Sequence, residues 1–66
     1  MTLDEAKRNI NRVVYNKSME IYGVIDGIDS KNKSILVVYN NYYPSIHTNP
    51  NDLILTNKHK EDIQWK

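Results

Sequence analysis

Six consecutive residues, Ser34-Ile35-Leu36-Val37-Val38-Tyr39, constrain this chain more than any other segment. Side chains alternate across a strand, so Ile35, Val37 and Tyr39 share one face and Leu36 and Val38 the other. Both faces are apolar, and such a strand is central and covered on both sides. The whole chain is 66 residues long, so the cover has to come from short neighbouring strands and little else. A domain of this size buries only about 60% of the surface its unfolded chain exposes. It has no room for a deep substrate cavity as well as a core.

The segments around this strand follow the same logic. Arg12-Val13-Val14-Tyr15 reads as a short strand, and Asn16-Lys17-Ser18 as a loop. Met19 to Ile28 reads as a longer strand, and Gly23 and Gly27 inside it predict a bulge or a sharp bend. Asp29 to Lys33 is a polar turn. Asn40-Asn41-Tyr42-Tyr43-Pro44 reads as a loop, followed by a short strand over Ser45 to Thr48. Thr48 to Leu53 predicts one helical turn with a proline near its start, and Asp52 is expected to cap or hydrogen-bond within it. Ile54-Leu55-Thr56 makes the last strand.

Ahead of the strands lies a short helix, expected over residues 2–10. Thr2 and Glu5 have capping-box spacing, and Leu3, Ala6, Lys7 and Ile10 fall on one narrow stripe. Acidic Asp4 and Glu5 open it, and basic Lys7 and Arg8 come late, as the helix dipole favours. So short a helix is stable only when docked. The expected core joins Val13, Ile25, Ile28, Val37 and Leu55. The expected organisation is one domain over residues 1–56 and a charged tail over 57–66. The layout is mainly β: a small SH3-like barrel of four to five short antiparallel strands with one N-terminal helix. The hairpin from Gly23 to Tyr39 is similar to those of KOW and Tudor-type barrels.

Certain motifs carry a further resemblance. Thr2-Leu3-Asp4-Glu5-Ala6-Lys7, Val13-Val14-Tyr15, Gly23-Val24-Ile25, Ile35 to Tyr39 and Thr48-Asn49-Pro50-Asn51-Asp52-Leu53-Ile54-Leu55 follow one another in that order. The chain thereby resembles a group of short phage and prophage proteins, over roughly residues 2 to 55. They open with T-L-x-x-A-K and close with A-T-x-P-x-D-L-x-L. His47 departs from the small residue of the closing motif, and the chain runs some ten residues past the usual end. The resemblance implies an SH3-like barrel and a phage origin. It names no target and no chemistry.

Charge and composition narrow the function. Nine Lys and Arg against eight Asp and Glu leave a formal charge of +1, without the clustered basic face of a nucleic-acid binder. There is no cysteine, which removes disulfides, CxxC redox chemistry and thiolate zinc sites. His47 and His59 stand twelve residues apart without a supporting carboxylate pattern, so no metal or cofactor is expected. The longest apolar run is Ile35 to Tyr39, too short for a membrane span, and the N-terminus lacks a signal-peptide core. A cytoplasmic protein is expected.

Catalysis finds no support. Asp4, Glu5, Glu20, Asp26, Asp29 and Asp52 show no acid–base pairing, and Ser18, Ser30, Ser34 and Ser45 lack a nucleophile elbow. A non-enzymatic module that binds and modulates a host or phage protein is therefore expected. Its partner surface is placed at Tyr42, Tyr43 and His47, with Trp65 as an addition, because large rings are good interface anchors. The alternative is that Tyr39 is core while Tyr42 and Tyr43 close a barrel end. For Trp65, with Ile63, the alternative is that it folds back onto the barrel.

Two other readings stay open. In one, Lys31 and Lys33 touch phosphates in a KOW-like nucleic-acid binder, with Lys17, Lys58 and Lys60 extending a basic rim. The plainer view of those lysines is a solvated surface offset by Asp26 and Asp29. In the other, the chain is a homo-oligomeric structural or assembly protein.

Overall fold

The computed structural model describes residues 1–40 and 42–63. Helix α1 (Leu3–Lys7) is followed by strands β1 (Arg12–Asn16), β2 (Ile21–Asp29), β3 (Ser34–Tyr39), β4 (Tyr42–Thr48) and β5 (Leu53–His59). Short 3₁₀ helices at Pro50–Asp52 and Lys60–Asp62 flank β5. The strands make one antiparallel sheet in the order β4-β3-β2-β1-β5. The expected barrel is thus seen as an open sheet, with β4 and β5 as its edges. After β4 the chain turns at Pro50–Asp52 and crosses to the far side of β1, where Leu53 pairs with Asn16. The radius of gyration, 10.4 Å, agrees with the roughly 11 Å of a compact chain of this length. No described helix is long and apolar enough to cross a membrane.

Helix α1 is shorter than the expected 2–10. Thr2 Oγ1 accepts the Glu5 amide at 3.0 Å, so the cap forms as the sequence predicts. The far end is closed early by Asn9, whose amide donates to the Ala6 carbonyl at 3.0 Å and whose Nδ2 donates to the Glu5 carbonyl at 2.7 Å. Asn11 then takes a left-handed φ of 72°, turning the chain into β1. Ala6 is fully buried and Leu3 partly so, whereas Lys7 and Ile10 are exposed. The apolar stripe therefore ends before Ile10.

The main core cluster contains Ala6, Val14, Ile25, Ile35, Val37, Tyr39 and Leu53. Ile28 and Leu55 only lean on it, one beyond a bulge in β2 and the other on an edge strand. Val13 is fully buried but belongs to the other face of β1: it pairs with Val24, which pairs with Val38. This row of valines accounts for the two apolar faces of β3. The bulge between Ile25 and Gly27 fits the expectation for Gly27. Gly23 has a different role, because Tyr39 packs against it.

Tyr39 anchors a buried polar chain. Asn16 Nδ2 donates to Tyr39 Oη at 3.0 Å, and Tyr39 Oη lies 2.8 Å from Thr48 Oγ1. Thr48 Oγ1 donates to the Ile46 carbonyl at 3.2 Å. Its only proton is then used, so the Tyr39 hydroxyl is the donor to Thr48. Asn16 Oδ1 accepts the Ser18 and Met19 amides, each at 3.0 Å, which shapes the turn between β1 and β2.

The expected cap at Asp52 is supplied by Asn49, whose Oδ1 accepts the Asn51 amide at 2.9 Å. Asp52 contributes backbone groups: its amide donates to the Asn49 carbonyl, and its carbonyl accepts the Lys17 amide at 2.8 Å. The Met1 ammonium donates to the Pro50 carbonyl at 3.2 Å. Strand β5 continues three residues beyond the expected domain end at 56. Thr56 Oγ1 donates to the Val13 carbonyl at 2.7 Å, and past a bulge Arg12 pairs with His59. Lys60 then donates its amide to the Asn11 carbonyl at 2.7 Å.

Candidate protein-binding surface

The segment expected as a loop at Tyr42-Tyr43-Pro44 is the first part of β4. Asn40 adopts φ 53°, the left-handed backbone that a tight hairpin needs, and Tyr39 pairs directly with Tyr42. The strand thus starts at once. Pro44 is tolerated because β4 is an edge. Tyr42 is 70% exposed, Tyr43 62% and Ile46 50%. Three large apolar residues therefore stand out on one short edge strand.

His47 is not beside the tyrosines. It pairs with Leu36, and its Nδ1 lies 2.8 Å from Ser34 Oγ and 3.6 Å from Asp29 Oδ2, at the turn between β2 and β3. Tyr42 pairs with Tyr39 and His47 with Leu36, so the two positions stand three residues apart along β3, on the order of 10 Å. Tyr42 and Tyr43 occupy one end of β4 and His47 the other. The reason is the early start of the strand, which extends a segment expected to fold back as a loop.

Ser34, His47 and Asp29 have the composition of a catalytic triad but not its geometry. Both the hydroxyl and the carboxylate approach Nδ1, whereas a relay needs them on opposite ring nitrogens. Asp29 is committed to its turn: Oδ1 accepts the Lys31 and Asn32 amides at 3.1 and 3.2 Å, and Oδ2 accepts Asn32 Nδ2 at 2.8 Å. These bonds, the Asn32 side chain foremost, hold its carboxyl below the ordinary aspartate range. Lys31 and Lys33 are exposed on the same turn, next to this ionised carboxylate. Trp65 lies outside the described residues, and Ile63 is half-buried.

The sheet also presents a row that the sequence reading passed over. Tyr15 pairs with Tyr22 on one side and with Ile54 on the other. The two rings lie 5.0 Å apart, tilted by 59°, and Tyr22 and Ile54 are exposed. The signal was present in the pairing arithmetic: a hairpin around residues 17–20 sets Tyr15 opposite Tyr22. Among the described residues, no three His, Asp or Glu side chains gather as metal ligands. The chain matches no protein-family model, no curated protein and no solved structure.

Proposed function

We propose that this chain is a phage-encoded, non-enzymatic binding module of SH3-like type that attaches to a protein of the host or the phage and modulates it. The observation that carries the reading is the exposure of Tyr42, Tyr43 and Ile46 on a single edge strand. Rings of this kind anchor protein interfaces because they offer a large contact area at low entropic cost. The near-neutral charge favours a protein partner over a polyanion. The SH3-like assignment is supported by the strand order and by the 3₁₀ turn just before the last strand. On this reading the module acts in the host cytoplasm.

The test is affinity capture from host lysate with the wild type and with a Tyr42→Ala/Tyr43→Ala variant. A host or phage protein held by the first and lost by the second supports the reading. Equal retention by both overturns the aromatic surface. Salt-sensitive retention on DNA that Lys31→Glu/Lys33→Glu abolishes would put nucleic-acid binding in its place.

A further inference from the structure

The crossover from β4 to β5, residues 49–52, is moored at both ends to two consecutive residues at the end of β1. At its far end the Asp52 carbonyl accepts the Lys17 amide at 2.8 Å, and Leu53 pairs with Asn16. At its near end Thr48 reaches Asn16 through Tyr39 Oη, by bonds of 2.8 and 3.0 Å. This second mooring spans a long way. In a flat sheet β3 and β2 would keep Thr48 and Asn16 about 14 Å apart across the strands. Thr48 lines up with Ile28 through Ile35, and Asn16 with Ile21, so a flat sheet would add about 23 Å along the strands. One tyrosine hydroxyl joins them instead, because the sheet curls toward the side that holds the core.

The three side chains have a single hydrogen-bond arrangement. Asn16 Oδ1 is held by the Ser18 and Met19 amides, so its Nδ2 has to face Tyr39. Tyr39 then donates its proton to Thr48, and Thr48 donates its own to the Ile46 carbonyl. No member can turn elsewhere without leaving a buried donor or acceptor unpaired, which costs more than the bond itself contributes. We propose that this chain is a latch, and that the β1–β2 turn and the crossover open and close through it as one unit. Residues 17–20 are exposed and Pro50–Asp52 contains no buried residue, so little apolar burial holds either segment without the latch. Asn16 serves both: one end of its amide shapes the turn, and the other starts the chain to Thr48.

This unit opens before the rest of the sheet does. Its release leaves the β1–β2–β3 ladder paired and bares one end of the core, since Tyr39 is the middle of the latch and Leu53 directly follows the crossover. It also frees Thr48, the last residue of the strand that carries Tyr42, Tyr43 and Ile46. Strand β4 is paired with β3 alone, so the latch gives it a second hold, on β1. The latch is independent of any partner the chain binds.

Native-state amide exchange in low urea tests it. In the wild type the Lys17, Ser18 and Met19 amides of the turn and the Asp52 and Leu53 amides of the crossover are expected to open with one free energy and one urea slope, both below those of Ile25 and Val37. Thr48→Val keeps the shape and removes the acceptor of the Tyr39 proton. It is expected to quicken exchange at Ser18 and Met19, on the far side of the chain, by about tenfold. Lys31 and Asn32, held by Asp29 in the other hairpin turn, are expected to stay at the wild-type rate. Thr48→Ser keeps the hydroxyl and is expected to restore the wild-type rates at Ser18 and Met19. Turn and crossover amides that open with separate free energies and slopes in the wild type overturn the latch, a readout that needs no variant to fold. Unchanged exchange at Ser18 and Met19 in Thr48→Val, or an equal rise at Lys31 and Asn32, overturns it as well.

Discussion

The ring of Tyr39 lies against Gly23 on the neighbouring strand so closely that a Cβ at Gly23 would sit 2.8 Å from Tyr39 Cδ1. Val37 crowds the same point. Neither neighbour is free to retreat, because both are buried and the Tyr39 hydroxyl is tied at its far end. Gly23→Ala is therefore expected to destabilise the fold by roughly 1–3 kcal/mol, the usual cost of overpacking. A urea midpoint equal to that of the wild type would refute the close contact.

Tyr39→Phe keeps the ring and removes the middle of the polar chain. Asn16 Nδ2 and Thr48 Oγ1 then lose a partner inside the core, which costs about 1–3 kcal/mol. Thr48→Val on top of Tyr39→Phe should cost less than the sum of the two single changes, since both act on one bond. Additive losses in a double-mutant cycle would show that the hydroxyls are independent.

Val37→Ala removes two methyl groups from a fully buried site beside Gly23 and Tyr39. The expected loss is on the order of 1–3 kcal/mol, large for a domain this small. Thr2→Ala removes the cap of α1 and should cost roughly 0.5–2 kcal/mol. Equilibrium denaturation measures both, and a stability unchanged in either variant would contradict the assigned packing.

Asp29 gives a pH dependence with a definite sign. Its folded carboxyl is held below the ordinary aspartate range by the Asn32 and Lys31 hydrogen bonds. Its contribution is therefore present above the unfolded aspartate value and is lost as pH falls through the lower folded one. Amide exchange at Lys31 and Asn32 should quicken in that acidic window. Asp29→Ala should show fast exchange at all pH values, and an identical profile in both proteins would exclude Asp29 as the cause.

Tyr42→Ala and Tyr43→Ala separate binding from folding. Both side chains are exposed, so stability should shift by no more than about 0.5 kcal/mol. If they anchor a partner, at least one should cost about 2 kcal/mol or more in affinity. Calorimetry with a captured partner measures the second quantity and chemical denaturation the first.

Much of the architecture was legible because single residues dictated it. The alternation of Ile35 to Tyr39 fixed β3 to its observed ends, Thr2 marked the start of α1, and Pro50 marked the 3₁₀ turn. Where the reading failed, a side chain bonded to backbone in a way that spacing does not reveal. Asn9 ended α1 early, and Asn49 took the cap expected of Asp52. The candidate surface suffered most. A left-handed Asn40 turned a loop into a strand and moved His47 to the opposite end from Tyr42 and Tyr43. Whether the sheet's edges meet is likewise a property of strand curvature, which alternation does not encode.

The pairing of β1 with β5 has a consequence for the order of folding. The meander from β1 to β4 is built of local hairpins, each strand joining the one before it. One side of β1 must wait, because its partner residues, Leu53 to His59, lie some forty residues further along the chain. Until then Asn16 lacks Leu53 beside it, and Val14 lacks Leu55. The incomplete sheet thus ends at β1, an edge that β5 covers in the finished fold. Closure of so distant a pair is slow compared with hairpin formation. How long the β1 edge stays exposed to wrong partners is set by how soon Leu53–His59 dock on it.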